Sequence, residues 1–285
     1  KEEISGIKVL RKSIDARKKE TIFNYKVAIY INEEIPEKSE YNFQYKDVSN
    51  AKEIHIVGFG PAGMYAALRC IELGYKPIVL ERGKNVQERR RDLRAINLPK
   101  IIQNIRETIL KFGGEIHFNT KVTDFVVKQN KLVAILLKDG KEMAVKSVIL
   151  ATGHSARDVY ELLHKKEIAI KAKSFAMGVR VEHPQEIIDQ IQYSCSGERD
   201  ELLPAAAYSL VHQVNNRGVY SFCMCPGGFI VPAATANGEV VVNGMSPSRR
   251  NNKFANSGIV VELDINKDFK KYDHLGALKG LQFQK

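Results

Sequence analysis

Three glycines and one proline near residue 60 have the types and the spacing of a phosphate-binding turn. Gly58, Gly60 and Gly63 follow an apolar, strand-like run, and Pro61 begins the helix-like run that comes next. In such a turn the first glycine allows a sharp bend, the second lets the backbone approach a pyrophosphate, and the third lets the helix pack against the strand. Pro61 costs little here, because its missing N–H would have no partner in the first helical turn. The free N–H groups of that turn, with the positive end of the helix dipole behind them, attract an anion.

An acidic residue follows these glycines at the separation expected of a ribose ligand. Glu81 ends a second strand-like run about 20 residues downstream, where a carboxylate accepts hydrogen bonds from an adenosine ribose. Its charge disfavours a 2′-phosphate at that position. The strand, the glycines, the helix and the acid occur in register, which predicts a dinucleotide site. Three alternatives are open: the site binds FAD, it binds a nicotinamide cofactor, or the βαβ unit binds nothing. The glycine pattern does not distinguish the two cofactors.

The segments after this unit predict the elements that hold it in place. Residues 99–112 have helical spacing, and Gly113 follows as a C-cap. Three strand-like runs then predict a β-meander, in which Asp139–Gly140 is a tight-hairpin signal. The run "SVILATG", residues 147–153, is apolar without alternation, which predicts a strand covered on both faces. Strand patterns dominate from about residue 173 and predict a second, largely β domain.

Two of these segments resemble motifs of a known superfamily. The stretch "VGFGPAGMYAALRCIELGYKPIVLERG" resembles the first motif of FAD-dependent oxidoreductases with the glutathione-reductase-like flavin fold, and "SVILATG" resembles the second. The meander between them matches the sheet that this superfamily inserts there, where simple nicotinamide dehydrogenases continue with alternating helices and strands. The resemblance therefore implies FAD as the cofactor.

The resemblance also implies which residues contact FAD. The residues it assigns to the pyrophosphate are Gly58, Gly60, Pro61, Ala62 and Gly63. It assigns Glu81 to the ribose, and Arg82 and Gly83 to the edge of the adenosine. It further assigns the backbone of Val122 to the adenine, and Ala151, Thr152 and Gly153 to the turn beside the flavin ring.

Longer segments are similar to bacterial FAD-dependent dehydrogenases without an assigned substrate. These segments are "RKSIDARKK", "SFAMGVRVEHPQEIID", "YSFCMCPGGFIVPAA", "VVNGMSPSRRNNKFANSGIVV" and "GALKGLQFQK". The similarity implies a dehydrogenase that transfers a hydride between a small-molecule substrate and flavin N5, with NAD(P)H as a possible transient electron donor.

This chain departs from the pattern of these dehydrogenases at two places. Related proteins carry a glycine-rich stretch where this chain passes from Asn97 into "LPKIIQNI", and a third glycine-rich motif where it stops at Lys285. We expect that segments are missing at both places.

Two cysteines are candidates for chemistry in the second domain. Cys223 and Cys225 are two residues apart on a predicted strand and hence on the same face. The pair is suited to redox chemistry or to contact with a substrate. The alternative is that both thiols are buried and serve only packing. We expect no metal, because zinc would need two further ligands with suitable spacing.

A polar loop in the same domain offers groups for a substrate or for the edge of the flavin. Its candidates are Ser246, Arg249, Arg250 and Asn256, and the alternative is a solvated basic loop. His154 follows "ATG", and we expect an ordinary loop histidine there. No acid–base pair or nucleophile triad occurs, so catalytic residues are not assigned. That absence is consistent with flavin chemistry, in which the cofactor carries the hydride transfer.

Composition limits the remaining function classes. The chain has 285 residues, 44% of them hydrophobic, and a formal net charge of +11. No apolar run approaches the roughly 20 residues that span a bilayer, and the polar N-terminal segment does not suggest secretion, so we expect a cytoplasmic protein. The basic segment "RGKNVQERRRDLR" motivates one alternative, an RNA-binding flavoprotein similar to tRNA-modifying enzymes. Another alternative is a nicotinamide-only or inert nucleotide-binding protein.

Together these patterns predict an α/β protein with a Rossmann-like FAD-binding domain that contains a β-meander, an inserted β-rich substrate domain and a small N-terminal α/β module. The N-terminal module is expected at residues 1–50 and the FAD-binding domain at 51–172. The substrate domain is expected at 173–265, and residues 266–285 begin the return to the FAD-binding domain.

Overall fold

The computed structural model describes residues 4–15, 21–34, 43–84, 98–234 and 238–284. The chain divides into two compact units. One contains residues 1–40 and 173–271, and the other contains residues 41–172 and 272–285. The first unit thus groups the N-terminal segment with residues 173–271, whereas the sequence predicts a separate module there. The functional domain boundaries stay a prediction.

The N-terminal segment is a two-stranded antiparallel hairpin. Strand β1 (Ile4–Asp15) pairs with strand β2 (Ile22–Ile31). Both runs are rich in β-branched residues, which favour extended backbone. The basic run that ends β1 is extended as well. Within residues 4–15 and 21–34 the predicted α/β module therefore contains strands and no helix.

A parallel sheet with helices on one face and a meander on the other forms the core of the second unit. Its elements in chain order are β3 (Glu53–Val57), α1 (Pro61–Leu73), β4 (Lys76–Leu80), α2 (Leu98–Lys111), β5 (Glu115–His117), β6 (Val122–Lys128), β7 (Lys131–Leu137), β8 (Glu142–Ala144), β9 (Val148–Leu150) and α3 (Arg157–Lys165). The parallel strands lie in the order β5-β4-β3-β9, and β6, β7 and β8 form the antiparallel meander. This arrangement confirms the predicted α/β fold class and the predicted meander.

Two apolar clusters hold these layers together. Helices α1 and α2 pack on one face of the sheet through fully buried side chains that include Ile56, Ile71 and Ile109. The meander packs through a second cluster that includes Leu80 and Ile135. Burying such a side chain stabilises the fold by about 1.5–3 kcal/mol. The parallel strands are consequently anchored from both faces.

The last parallel strand differs from its prediction. The sequence predicts that "SVILATG" is covered on both faces, but Ile149 and Leu150 are 38% and 41% exposed. The physical reason is position, because β9 pairs only with β3 among the described strands and forms the edge of the sheet. The apolar run therefore marks an edge strand here.

The first unit is dominated by an antiparallel sheet. Its elements after the hairpin are β10 (Phe175–Pro184), α4 (Gln185–Tyr193), β11 (Val211–Val214), β12 (Arg217–Cys225), β13 (Phe229–Pro232), β14 (Val242–Met245) and β15 (Phe254–Leu263). Four strands lie in the order β10-β15-β12-β11, and β13 pairs with β14. Asn237–Gly238, a dipeptide typical of tight hairpin turns, lies between β13 and β14 in the sequence, and Asn237 is outside the described residues. The chain continues into a 3₁₀ helix (Lys270–Leu278) and α5 (Lys279–Gln284), and its residues from 272 onward belong to the other unit.

A buried polar network fastens the loop after α4. Asp189, only 3% exposed, accepts hydrogen bonds from the Gln185 side chain, the Ala206 backbone N–H and the Arg199 guanidinium at 2.7–2.8 Å. Gln185 also accepts a 2.6 Å bond from the backbone N–H of Gly227. Each buried polar group of this network has a partner, which is the condition under which such groups are tolerated.

Replacing the central carboxylate tests this network. We expect Asp189→Asn to lower the free energy of unfolding by about 2–3 kcal/mol, because an amide cannot accept from all three donors. Hydrogen exchange at the Ala206 amide should accelerate as well. The matched control is Glu186→Gln on the exposed face of the same helix, which should change stability by less than about 0.5 kcal/mol. Urea unfolding followed by circular dichroism measures both variants, and equal stabilities would contradict the assignment.

An ion pair at the start of β12 makes the stability of this unit depend on pH. Arg217 binds Asp268 through two hydrogen bonds of 2.8 and 2.5 Å. These bonds, with the backbone N–H of Asp264, lower the pKa of Asp268 to about 2. A carboxyl with a lowered folded-state pKa stabilises the fold above its unfolded pKa of about 3.9 and loses this contribution as the pH falls through the folded value.

The pH dependence gives a second test of the first unit. We expect Asp268→Asn to unfold with a weaker dependence on pH between about 4 and 2 than the parent chain, because one depressed carboxyl no longer titrates. Thermal melts across that window measure the slope. The exposed Glu198→Gln is the control and should leave the slope unchanged. An unchanged slope in Asp268→Asn would show that this ion pair does not make the stability of the protein depend on pH.

Candidate functional site

The carboxyl ends of the parallel strands bring the predicted motifs together. Gly58 follows β3, Glu81 follows β4 and Ala151 follows β9. Backbone hydrogen bonds continue the sheet into these loops, since Gly58 N–H donates to Leu80 at 2.8 Å and Ala151 N–H donates to Val57 at 2.8 Å. Ligands of open α/β sheets bind outside this edge. The two sequence motifs therefore meet at one edge of the sheet although they lie far apart in the chain.

The glycine turn packs directly on the second motif. Gly58 has φ +106°, and a Cβ atom there would lie 2.4 Å from the carbonyl oxygen of Ala151. A Cβ atom on Gly63 would lie 1.9 Å from the carbonyl oxygen of Gly58. Neither contact is possible for a side chain, so both positions require glycine. The start of α1 is thereby held against the ends of β3 and β9.

Gly60 differs from its two neighbours, because nothing lies within 4 Å of the position where its Cβ would stand. The turn is therefore open at this point. Gly60 is also the N-cap of α1, and no side chain caps the helix. The first N–H groups of a helix have no intrahelical partners. The residues between Gly60 and Gly63 thus offer free backbone donors on an unobstructed surface, as a pyrophosphate requires.

Glu81 connects the turn to the loop after β4. Its Oε2 accepts a 2.8 Å hydrogen bond from the backbone N–H of Phe59, and its Oε1 accepts a 2.6 Å bond from the N–H of Gly83. Each carboxylate oxygen has a second acceptor site. The side chain therefore fixes the turn and keeps acceptor capacity for the hydroxyls of a ribose.

The predicted adenosine contacts lie beside Glu81. Backbone bonds run from Asn119 N–H to Gly83 and from Thr120 N–H to Glu81, which holds the start of the meander against this loop. Val122 is 9% exposed and packs in the core, so its side chain is buried. The Arg82 guanidinium lies 3.3 Å from Asp158 at the start of α3. Lys121 lies 2.6 Å from the same carboxylate.

The end of the second motif is open. Gly153 has φ +74°, and its Cβ position is free within 4 Å. Tyr160 donates a long hydrogen bond of 3.4 Å to its carbonyl oxygen. Thr152 is half-buried, and His154 is exposed and contacts Ser155 at 3.2 Å. The donors, the acceptor and the open glycine positions of this edge fit a dinucleotide cofactor, and they fit FAD and NAD equally.

Comparison with known proteins separates these cofactors. Residues 174–285 match the family described as "FAD-dependent protein, C-terminal domain-like", and residues 52–183 match the pyridine nucleotide-disulphide oxidoreductase family. An uncharacterized protein of Clostridium beijerinckii is 33% identical to this chain over 365 residues, which include all of this chain and 67% of that protein. The chain belongs to this family of FAD-dependent oxidoreductases. Residues 1–30 match a domain of unknown function.

Other similar proteins cover less of the chain. A nitric oxide reductase FlRd-NAD(+) reductase of Vibrio vulnificus is 30% identical over 118 residues, which are 41% of this chain and 29% of that protein. The crystal structure of CtdE in complex with FAD and substrate 4 has a TM-score of 0.38 and 14% identity, over 82% of this chain and 65% of CtdE. That structural likeness is too low to carry an argument.

Two sequence expectations concern segments outside this site. The alignment with the Clostridium protein is longer than this chain, so the relative has residues inside the aligned span that this chain lacks. Most of the basic segment "RGKNVQERRRDLR" lies outside the described residues, and none of these matches points to RNA binding. Among the described residues, no helix combines the length and apolarity needed to cross a membrane.

The candidate cysteines differ in environment. The pairing of β12 with β15 shifts between Phe222 and Cys225, and Cys223 has φ +49° in this bulge. The extra residue breaks the alternation on which the predicted common face depends, and Cys223 is exposed whereas Cys225 is buried. Burial raises the pKa of the Cys225 thiol, and the neighbouring Cys223 thiol raises it further. Cys225 is therefore a poor thiolate at neutral pH.

The other candidates of this unit are only partly brought together. Asn256 is fully buried, and Ser246 donates a 2.8 Å hydrogen bond to the carbonyl oxygen of Pro226. Arg249 is exposed and has no hydrogen bond or ion pair to any described residue. Sequence analysis missed Arg180, whose guanidinium lies 2.7 Å from Asn256. An arginine inside an apolar strand pattern was the available signal.

Thiol exposure gives a direct test of the cysteine environments. We expect one thiol, Cys223, to react first with iodoacetamide in the folded protein, because Cys70 and Cys225 are buried and burial raises the pKa of each. Peptide mass spectrometry after short labelling measures the order. Cys223→Ser is the control and should remove the fast phase alone. Equal labelling of Cys225 and Cys223 would contradict the described bulge.

Proposed function

We propose that the chain binds FAD at the carboxyl edge of its parallel sheet and catalyses the oxidation or reduction of a small molecule by hydride transfer at flavin N5. FAD, when bound, supplies the hydride chemistry. The observation that carries the proposal is the meeting of the glycine turn, Glu81 and Ala151 at one sheet edge, with Gly60 open. Family membership supports the choice of FAD over a nicotinamide-only protein.

In this proposal each element of the edge has one task. The N–H groups of Ala62 and Gly63 donate to the pyrophosphate, since no side chain caps α1. Glu81 accepts from the ribose hydroxyls while it keeps its bonds to Phe59 and Gly83. The backbone of Val122 contacts the adenine, because its side chain is committed to the core. Ala151, Thr152 and Gly153 lie beside the flavin ring.

The electron donor is part of the proposal. The Vibrio relative is an NAD(+) reductase by its name and aligns with 41% of this chain. This supports NADH or NADPH as the partner that recycles the flavin. We therefore place the nicotinamide as a transient electron donor.

Two glycine variants separate cofactor binding from folding. We expect Gly60→Ala to fold with unchanged stability, because its Cβ meets no atom within 4 Å, yet to bind FAD at least about tenfold more weakly, because the methyl group faces the pyrophosphate. We expect Gly63→Ala to lose stability, because its Cβ would lie 1.9 Å from a carbonyl oxygen. FAD titration by flavin fluorescence and thermal melts measure the two effects.

The decisive result is that Gly60→Ala loses FAD affinity whereas Gly63→Ala loses stability. Ala66→Gly, on the partly buried side of α1, is the helix control. It should destabilise the protein by up to about 1 kcal/mol without a selective loss of FAD affinity. Gly140→Ala would not be a neutral control, because Gly140 has φ +87°. Unchanged FAD affinity in a folded Gly60→Ala protein would contradict the site. Anaerobic bleaching of the flavin by NADH or NADPH would support the proposed donor, and no bleaching by either would overturn it.

A further inference from the structure

The antiparallel sheet carries a polar cluster that shares no residue with the dinucleotide site. We define the Arg180 cluster as Arg180 on β10, Cys225 on β12, Gly244 on β14, Asn256 on β15, and Ser246 in the loop after β14. All five residues belong to the unit of residues 1–40 and 173–271. The β-bulge of β12 lies at this cluster, and bulges occur often next to functional sites.

The guanidinium of Arg180 has donors to spare. Its Nη1 donates to the Asn256 side-chain oxygen at 2.7 Å and to the Cys223 carbonyl oxygen at 3.1 Å. Its Nη2 and Nε donate to no group in the described part of the chain, and no described carboxylate forms an ion pair with it. A half-buried cation without a counter-charge favours an anionic ligand.

Asn256 adds a second donor without a partner. The side chain is 0% exposed, and its oxygen accepts from Arg180, which fixes the orientation of the amide. The opposite end, Nδ2, is buried and has no hydrogen-bond partner among the described residues. A buried unsatisfied donor costs about 1–3 kcal/mol. Such a group calls for an explanation, and a ligand oxygen would satisfy it.

Glycines let the neighbouring backbone approach these donors closely. A Cβ on Gly244 would lie within 2.3–2.7 Å of the Arg180 guanidinium, the Asn256 oxygen and the Cys225 sulfur. Gly258 pairs with Arg180 on one side and with Phe222 on the other. No side chain therefore stands on the sheet between them, and Arg180 Nη2 lies 3.9 Å from the Cβ position of Gly258. Glycines inside strands mark places where a ligand approaches closely.

An apolar side chain lies on the same face of the sheet as Arg180. Phe222 is 61% exposed and lies on the same sheet face as Arg180, because both are cross-strand partners of Gly258. Two strands that have one strand between them in a sheet lie about 10 Å apart. That span fits a small molecule with a carboxylate at the Arg180 end and an apolar or aromatic body at the Phe222 end.

We propose that the Arg180 cluster binds the carboxylate of the substrate, whose apolar body lies against Phe222. Identifying this ligand as the substrate depends on the proposed function. The Arg180 fork donates to the carboxylate from Nη2 and Nε, and Asn256 Nδ2 donates to it from the buried side. The enzyme is thereby specific for apolar or aromatic carboxylic acids.

Benzoate is a suitable probe, because it carries a carboxylate and a ring, and benzamide is its neutral match. We expect the parent chain to bind benzoate saturably by isothermal titration calorimetry, and to bind benzamide and inorganic phosphate at least about tenfold more weakly. We expect Arg180→Lys to lose at least about tenfold in benzoate affinity, because an ammonium ion does not reproduce the bidentate fork. Phe222→Ala should weaken benzoate and leave phosphate unchanged.

Controls keep folding and cofactor binding separate from this result. Arg11→Lys, at an exposed arginine of the N-terminal hairpin, should bind benzoate as the parent chain does, and circular dichroism should show that Arg180→Lys is folded. Absent benzoate binding in the parent chain, or equal binding by Arg180→Lys, would overturn the proposal. Flavin content is measured on the same samples, so a chain that binds benzoate without FAD would contradict the proposed function alone. Displacement of FAD by benzoate would assign Arg180 to the cofactor and overturn the substrate assignment.

Discussion

The close contacts of two glycines with backbone carbonyls are the constraint on which the proposed cofactor site depends. Gly63 lies against the carbonyl of Gly58, and Gly58 lies against the carbonyl of Ala151, at distances that exclude a Cβ atom. These contacts place the N-terminus of α1 over the ends of β3 and β9. The helix dipole and its free N–H groups consequently point at the same edge where Glu81 leaves β4.

The remaining parts of this unit serve that edge. The apolar clusters on both sheet faces fix the strands, and Glu81 ties the glycine turn to the loop after β4 through Phe59 and Gly83. Asp158 binds both Arg82 and Lys121, which holds the start of the meander near the predicted adenosine contacts. A preorganised edge of this kind binds a cofactor without first rearranging.

Sequence patterns were sufficient where the determinants are local. The glycine spacing, Glu81, the meander and the helix near residue 100 follow from short-range turn, capping and periodicity rules, and the structure contains each of them. Patterns failed where pairing partners decide. The exposure of Ile149 follows from the edge position of β9, and the bulge at Cys223 follows from the register with β15. Arg180 and Asn256 meet only because β10 pairs with β15, which no local pattern reveals.

Amide hydrogen exchange at the glycine turn shows whether FAD binds at this edge. We expect saturating FAD to slow exchange in residues 58–64 and 81–83, because the pyrophosphate occupies the N–H groups of α1 and the ribose binds Glu81. Exchange in the hairpin of residues 4–15 and 22–31 serves as an internal reference and should not change. FAD binding that leaves residues 58–64 unprotected would contradict the account.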